Sequence, residues 1–181
     1  MRVIRIAERL WFLALPMAAL CYYLGYIQYQ KKSYPLTAVY ALACAGILVM
    51  LVAHLFRDRY MRMPLKKVDK LSGTSFENYL AVHFRKMGYH VKQTSATADY
   101  GADLILRKRK EKTVVQAKRY SKAVGVAAVQ EVIGAREYYA ADRAIVVTNW
   151  FFTKNAQILA SQSGVELWDR KQLKKQFGAR E

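Results

Sequence analysis

An aspartate on one apolar stretch and a Gln-x-Lys pair on the next carry the most pointed chemistry in this chain. The first stretch reads Asp99-Tyr100-Gly101-Ala102-Asp103-Leu104-Ile105-Leu106, and the second Val114-Val115-Gln116-Ala117-Lys118. Side chains two apart on a strand share a face, so Gln116 and Lys118 project together. A hairpin between the two stretches brings Asp103, near the start of the first strand, to the same edge of a sheet. Asp103 and Gln116 then offer oxygens to a hard divalent ion such as magnesium, and the Ala117 backbone carbonyl between Gln116 and Lys118 offers another. Lys118 would orient or help deprotonate a water, or stabilise charge developing on a phosphate. A metal beside a positioned amine is suited to cutting phosphodiesters. Glu77, near the start of an upstream helix, adds a second carboxylate if that helix packs across the sheet.

Each of these residues also has a plainer reading. Lys118 fits a solvated strand lysine among Arg119 and Lys122, Gln116 a polar residue on a half-exposed face, and Asp103 a turn residue at a strand start. Glu77 fits the glutamate of a helix cap. Spacing alone favours the plainer readings, because Gln-x-Lys often recurs by chance.

The elements that must position these residues follow from hydrophobic period and turn chemistry. Thr74 with Glu77 three residues on has capping-box spacing. Phe76, Tyr79, Leu80, Phe84 and Met87 keep helical period up to Gly88. Strands are expected over Tyr89–Thr94, Ala102–Arg107 and Thr113–Tyr120, with a charged turn over Arg107–Lys112. A helix follows over Val126–Ala140, a buried strand over Arg143–Thr148, a helix over Thr153–Ser163, a short strand over Val165–Trp168 and a basic terminal helix. The order α-β-β-β-α-β-α-β-α predicts an α/β fold, a mixed sheet flanked by helices.

Charge says what such a domain meets. The chain has 181 residues, with 30 Lys+Arg against 13 Asp+Glu. Residues 70–181 alone hold 20 basic and 10 acidic side chains, a balance that attracts polyanions, nucleic acid above all. Arg119, Lys122, Lys108 and Lys110 are the candidate nucleic-acid contacts. Cys21 and Cys44 both lie in apolar runs and make no disulfide framework, and His54, His83 and His90 have no cysteine at zinc-ligand spacing.

The upstream third reads as a membrane anchor. Leu10–Gln30 and Ser33–Phe56 contain no charged residue, and each run is about 20 residues, the length that crosses a bilayer. Only Lys31 and Lys32 separate them, so two spans over about 10–30 and 34–56 are expected as a helical hairpin. Trp11, Phe12, Tyr26, Tyr29 and Tyr34 fall at the expected interfaces. Arg2, Arg5 and Arg9 precede the first run. Arg57, Arg59, Arg62, Lys66, Lys67 and Lys70 follow the second, so the positive-inside rule puts both termini and the downstream domain in the cytoplasm. A cleaved signal peptide is the competing reading, but apolar and aromatic residues continue past any cleavage site. The expected division is residues 1–60 as anchor, 61–70 as basic linker and 71–181 as the globular domain.

Residues 72–178 resemble the Mrr-like restriction endonuclease family of the PD-(D/E)xK nuclease superfamily. The resemblance runs through Gly73-Thr74-Ser75-Phe76-Glu77, Asp99-Tyr100-Gly101-Ala102-Asp103 and Val115-Gln116-Ala117-Lys118-Arg119. It continues in Gly134-Ala135, Val146-Val147-Thr148-Asn149, Phe152-Thr153, Ala156 and Val165-Glu166-Leu167. It implies a restriction-endonuclease-like fold and magnesium-dependent cleavage of DNA, with manganese as a substitute, in restriction or defence against foreign or modified DNA. Asp103, Gln116 and Lys118 become the metal-and-lysine core, with Glu77 as auxiliary acid and Asp99 at a further acidic position. Glutamine at Gln116 is usual in this branch, where the wider superfamily prefers Asp or Glu. Tyr100 and Ala102 depart from the pattern, standing where the family often has glycine. A homodimer is one arrangement that would cut both strands. The alternative is a catalytically weak or inactive nuclease-fold module that holds nucleic acid at the membrane.

Overall fold

Val114, Val115 and Gln116 are buried in succession, which marks their strand as covered on both faces. In the computed structural model that strand is the middle of a five-stranded sheet. The structure describes residues 14–31, 34–94 and 100–178. The chain divides into two compact units, Met1–Arg59 and Tyr60–Glu181.

The first unit holds α1 (Ala14–Gln30) and most of α2 (Tyr34–Met61). Within it Gly25 lies against Tyr40, where an added Cβ would meet the Tyr40 Cβ at 3.2 Å. Leu42, Val49 and Met50 are 75 %, 67 % and 73 % exposed, so α2 is not the core helix of a water-soluble bundle. Among the described residues one helix, Leu36–Met61, is long and apolar enough to cross a membrane. The expected first span, about 10–30, begins outside the described residues. The described α1 has 17 residues, about 25 Å at ~1.5 Å per residue, short of a ~30 Å hydrocarbon core. Trp11, Phe12, Lys32 and the arginines at 2, 5 and 9 lie outside the described residues.

The second unit continues through α3 (Leu65–Val68), α4 (Gly73–Lys86), β1 (His90–Gln93), β2 (Leu104–Lys108), β3 (Glu111–Lys118) and α5 (Val126–Tyr138). It closes with β4 (Arg143–Thr148), α6 (Lys154–Ser163), β5 (Val165–Trp168) and α7 (Arg170–Phe177). Strand order follows the sequence, β1-β2-β3-β4-β5. The first three strands pair antiparallel and the last three parallel. The short turn between β2 and β3 permits the antiparallel pair, whereas each parallel neighbour needs a crossover helix, supplied by α5 and α6. This is the expected mixed sheet flanked by helices.

Two apolar layers sandwich the sheet. Phe76, Leu80 and Phe84 of α4 pack with Leu104, Leu106, Val115, Ile145 and Val147, closed by Leu173 and Phe177 of α7. On the other face Val129, Val132 and Ala135 of α5 and Ala156 and Ala160 of α6 pack with Val114, Ala144 and Val146.

Three boundaries differ from expectation. Met63, Leu65 and Val68 are 7 %, 1 % and 0 % exposed, so the stretch expected as a linker is folded into the core. The N-cap of α4 is Ser72, whose hydroxyl accepts from the Ser75 amide at 3.2 Å, rather than Thr74. Glu77 therefore lies beyond the capping-box position and is not the capping glutamate. The β2 and β3 ladder extends into the charged turn as far as Lys108 opposite Glu111, leaving Arg109 and Lys110 as the tip, with Arg109 at φ 58°.

Candidate active site

The ladder between β2 and β3 ends at Leu104 opposite Val115, and Asp103 is the residue just before it. The Asp103 amide donates to the Val115 carbonyl at 2.9 Å, and the Thr94 amide donates to the Asp103 carbonyl at 3.1 Å. Its side chain closes the next step of the ladder. The Ala117 amide donates to Asp103 Oδ2 at 2.6 Å, a short charge-assisted bond. The carboxylate is thereby fixed at the strand edge instead of sampling rotamers. Amide and carbonyl of one strand residue point to the same side, so the Ala117 carbonyl also faces the segment leading into Asp103.

Gln116 is 4 % exposed, and its Oε1 is buried with no hydrogen-bond donor. An orphaned buried amide oxygen costs about 1–3 kcal/mol. The chemistry that would satisfy it here is a cation or an ordered water. With a carboxylate fixed on the Ala117 amide and a backbone carbonyl one residue on, the donors fit a hard, oxygen-seeking ion that keeps several waters. Among the described residues no group of three or more His, Cys, Asp or Glu side chains is assembled to hold a metal. Any ion here would rest on a mixed amide, carbonyl and carboxylate set.

Lys118 is two residues on, on the face it shares with Gln116. Its Nζ lies 2.7 Å from Glu131 Oε2 of α5, with the two side chains 19 % and 43 % exposed. Sequence reading missed Glu131, which belongs to no motif on its strand neighbours. Its only sequence signal is its position on the crossover helix that must cover the Gln116 face.

The segment before Asp103 is seated against the same helix. Gly101 has φ 86°, and a Cβ there would lie 2.4 Å from the Glu131 carbonyl oxygen. Only glycine meets both the left-handed backbone and that close approach. Ala102 is fully buried, and its carbonyl accepts from the Thr94 hydroxyl at 2.6 Å. Tyr100 also adopts a positive φ, 45°, which costs a non-glycine residue roughly 1–2 kcal/mol. Its ring stacks on Tyr138 of α5 at 3.8 Å between centroids and 17° between planes. The hydrogen bond with Tyr100 raises the Tyr138 hydroxyl above its ordinary pKa. Asp99 lies outside the described residues.

Glu77 is half-buried on α4, in the layer opposite Gln116 and Lys118. Gln93 Nε2 donates to Asn78 Oδ1 at 2.9 Å, and Gln93 pairs with Leu104. The first turns of α4 thus stand at the Asp103 end of the sheet, and Glu77 with them. The remaining candidates separate. Arg119 is half-buried with its Nε lacking a partner, and Lys122 is exposed in the loop after β3. Lys108 instead caps the end of α4, donating to the Met87 carbonyl at 2.9 Å and lying over the Tyr89 ring at 4.8 Å. Lys110 is at the same hairpin tip, and four ladder steps along β2 put both ~13 Å or more from Asp103.

A partly buried polar brace holds the end of β3 in place. The Tyr120 amide donates to Asn149 Oδ1 at 2.9 Å, and Asn149 Nδ2 donates to Asp69 Oδ1 at 3.0 Å. Arg170 Nη1 donates to the same Asp69 oxygen at 2.7 Å. The brace joins three loops far apart in sequence just beyond Lys118.

A family model described as restriction endonuclease, Mrr_cat, matches residues 68–177. No curated protein matches the chain significantly. The crystal structure of a protein of unknown function, AF1548, superposes with a TM-score of 0.45 at 14 % identity, over 51 % of this chain. The match spans about half of that protein, 55 % of its length, and is too loose to carry an argument. The family match takes in α4, the whole sheet, Asp103, Gln116 and Lys118, and extends over more than half of the sequence. The chain belongs to the Mrr_cat family of restriction endonucleases.

Proposed function

We propose that this restriction-endonuclease-like nuclease is a membrane-anchored, magnesium-dependent endonuclease that hydrolyses phosphodiester bonds of DNA. The observation that carries the reading is Gln116 Oε1, buried without a donor and adjacent in β3 to Ala117, whose amide fixes the Asp103 carboxylate. Asp103, Gln116 and the Ala117 carbonyl would hold the ion, with Glu77 approaching from the α4 layer. Bound magnesium, or manganese in its place, supplies Lewis acidity toward a phosphate oxygen and a more acidic water. Lys118 offers its ammonium to the charge that develops on the phosphate, and the strand-end brace keeps that strand in register.

Anchoring rests on the Leu36–Met61 helix and on the cations flanking both apolar runs. The first apolar run covers residues 10–30 of the sequence, long enough for a second span. The charge asymmetry supports a cytoplasmic location for both termini and for the nuclease unit, at a cytoplasmic or inner membrane. Resistance of the full-length protein to alkaline extraction from membranes tests the anchor, and its release would overturn it.

A module that binds nucleic acid without cutting is the second reading, favoured by the lack of a three-acid cluster among the described residues. One assay separates the two. Full-length protein in detergent should nick supercoiled plasmid with magnesium and not with chelator, and Asp103→Ala or Lys118→Ala should remove at least ~100-fold of that activity. Plasmid that stays intact, or variants that cut like the parent, would overturn the nuclease reading.

A further inference from the structure

The stacked pair of Tyr100 and Tyr138 is not needed to hold the segment on which Tyr100 sits. Gly101 packed on the Glu131 backbone, fully buried Ala102 and the Asp103 carboxylate on Ala117 already fix that segment. The chain nevertheless places a tyrosine, not a glycine, at φ 45°. Tyrosines serving only as a pin would bury both faces of each ring. Here Tyr100 is 55 % exposed and Tyr138 58 % exposed, although each covers one face of the other. Tyr139 meets Tyr138 edge-on at 4.9 Å, which fixes the plane of the pair. Two aromatic planes are thus held in a set orientation, each residue more than half exposed.

Their position relates them to the candidate active site. Gly101, next to Tyr100, touches the backbone of Glu131, and the Glu131 carboxylate holds Lys118. Tyr138 is seven residues after Glu131, two turns along the same face of α5, or about 10 Å. A half-exposed ring pair on the helix whose Glu131 holds the Lys118 ammonium, on a unit with 20 basic and 10 acidic side chains over residues 70–181, suits a polyanion carrying flat apolar groups. Bases are available for stacking when they are unpaired, and aromatic platforms beside cationic grooves take them without regard to sequence.

We infer that Tyr100, backed by Tyr138, is a stacking platform for an unpaired base of DNA, placed beside the cleavage site so that single-stranded or locally unpaired DNA is preferred over intact duplex. This deepens the nuclease reading and rests on it for the identity of the polyanion. The platform needs one rigid ring face and does not use the tyrosine hydroxyls.

The test is a binding measurement without cutting. Full-length protein in detergent, with chelator present, is titrated into a short single-stranded oligonucleotide carrying 2-aminopurine and into the same sequence as duplex. Single-strand binding should quench the fluorescence. Tyr100→Gly should weaken single-strand affinity about 5- to 100-fold and leave duplex affinity within about twofold, the range expected for one lost base stack. Glycine suits the left-handed backbone, so the variant removes the ring without adding strain. Tyr100→Phe keeps the ring and should bind as the parent does. Unchanged single-strand binding in Tyr100→Gly, or equal weakening for both DNAs, would overturn the platform. Plasmid nicking reports separately on the nuclease reading. Cutting without quenching sinks only the platform, and quenching without cutting sinks only the nuclease.

Discussion

Lys118 Nζ on β3 and Glu131 Oε2 on α5 are 2.7 Å apart, joining the strand that carries the candidate site to the helix that covers it. The pair is partly exposed, so its direct worth to stability is small, at most about 1 kcal/mol. Its consequence is geometric: a long flexible amine is held on the Gln116 face. Glu131→Gln should therefore lower the turnover of plasmid nicking about 10- to 100-fold, with KM and melting temperature nearly unchanged. That split marks a group that acts through Lys118 rather than on substrate binding. A variant that melts early, or whose loss lies in KM, would count against this role.

The close approach of Gly101 to the Glu131 carbonyl predicts a contrast between two glycines. Gly101→Ala must accommodate a Cβ 2.4 Å from that oxygen on a backbone with φ 86°, and should lose several kcal/mol along with nicking activity. Gly73 begins α4 with nothing within 4 Å of an added Cβ. Gly73→Ala should be neutral or stabilise by up to ~1 kcal/mol. Thermal melting of the two variants checks the pair, and similar behaviour would show that the segment before Asp103 is not seated as described.

Much of the second unit was legible in the sequence because its signals are local. Period-two and helical patterns gave the order of elements, and the short turn gave the antiparallel pairing of β2 and β3. That pairing set Asp103 at the edge of β3 beside Ala117. What stayed hidden depends on contacts remote in sequence. Glu131 is 13 residues beyond Lys118, and nothing in Gln130-Glu131-Val132 marks which side of α5 meets β3. Asp69, Asn149 and Arg170 form one brace only after three loops converge. Met63, Leu65 and Val68 were masked by their charged neighbours Arg62, Lys66 and Lys67, which made core residues read as linker. Ser72 and Thr74 offer the same hydroxyl chemistry, and the helix takes the earlier one.

The buried Gln116 amide makes stability a test for a divalent ion at this site. If Asp103 and Gln116 hold magnesium, millimolar magnesium should raise the melting temperature of the parent through binding to the folded state alone. Gln116→Leu fills similar volume without an orphaned oxygen. It should keep or gain stability in chelator and show no rise with magnesium, and Asp103→Asn should also lose the rise. A parent protein indifferent to magnesium and manganese would remove the ion from this site.

His83 gives the second unit a stability that depends on pH. It is 2 % exposed, stacked on Phe177 at 4.4 Å and beside Tyr79 at 4.4 Å, with its Nε2 buried and without a partner. Burial lowers its pKa to about 4, reinforced by the Lys86 charge and opposed by a backbone hydrogen bond at Tyr60. In the unfolded chain the imidazole takes up a proton near pH 6.5, whereas in the folded unit it stays neutral until about pH 4. Unfolding therefore binds a proton between those values, and stability falls as pH drops through that window. The full effect is on the order of 3 kcal/mol, present above pH 6.5 and lost by about pH 4. His83→Phe has no proton to gain and keeps an aromatic ring against Phe177 and Tyr79. Urea unfolding at pH 7 and pH 4.5 should show a smaller loss for His83→Phe than for the parent. Equal losses would mean that the imidazole does not stay neutral in the folded core.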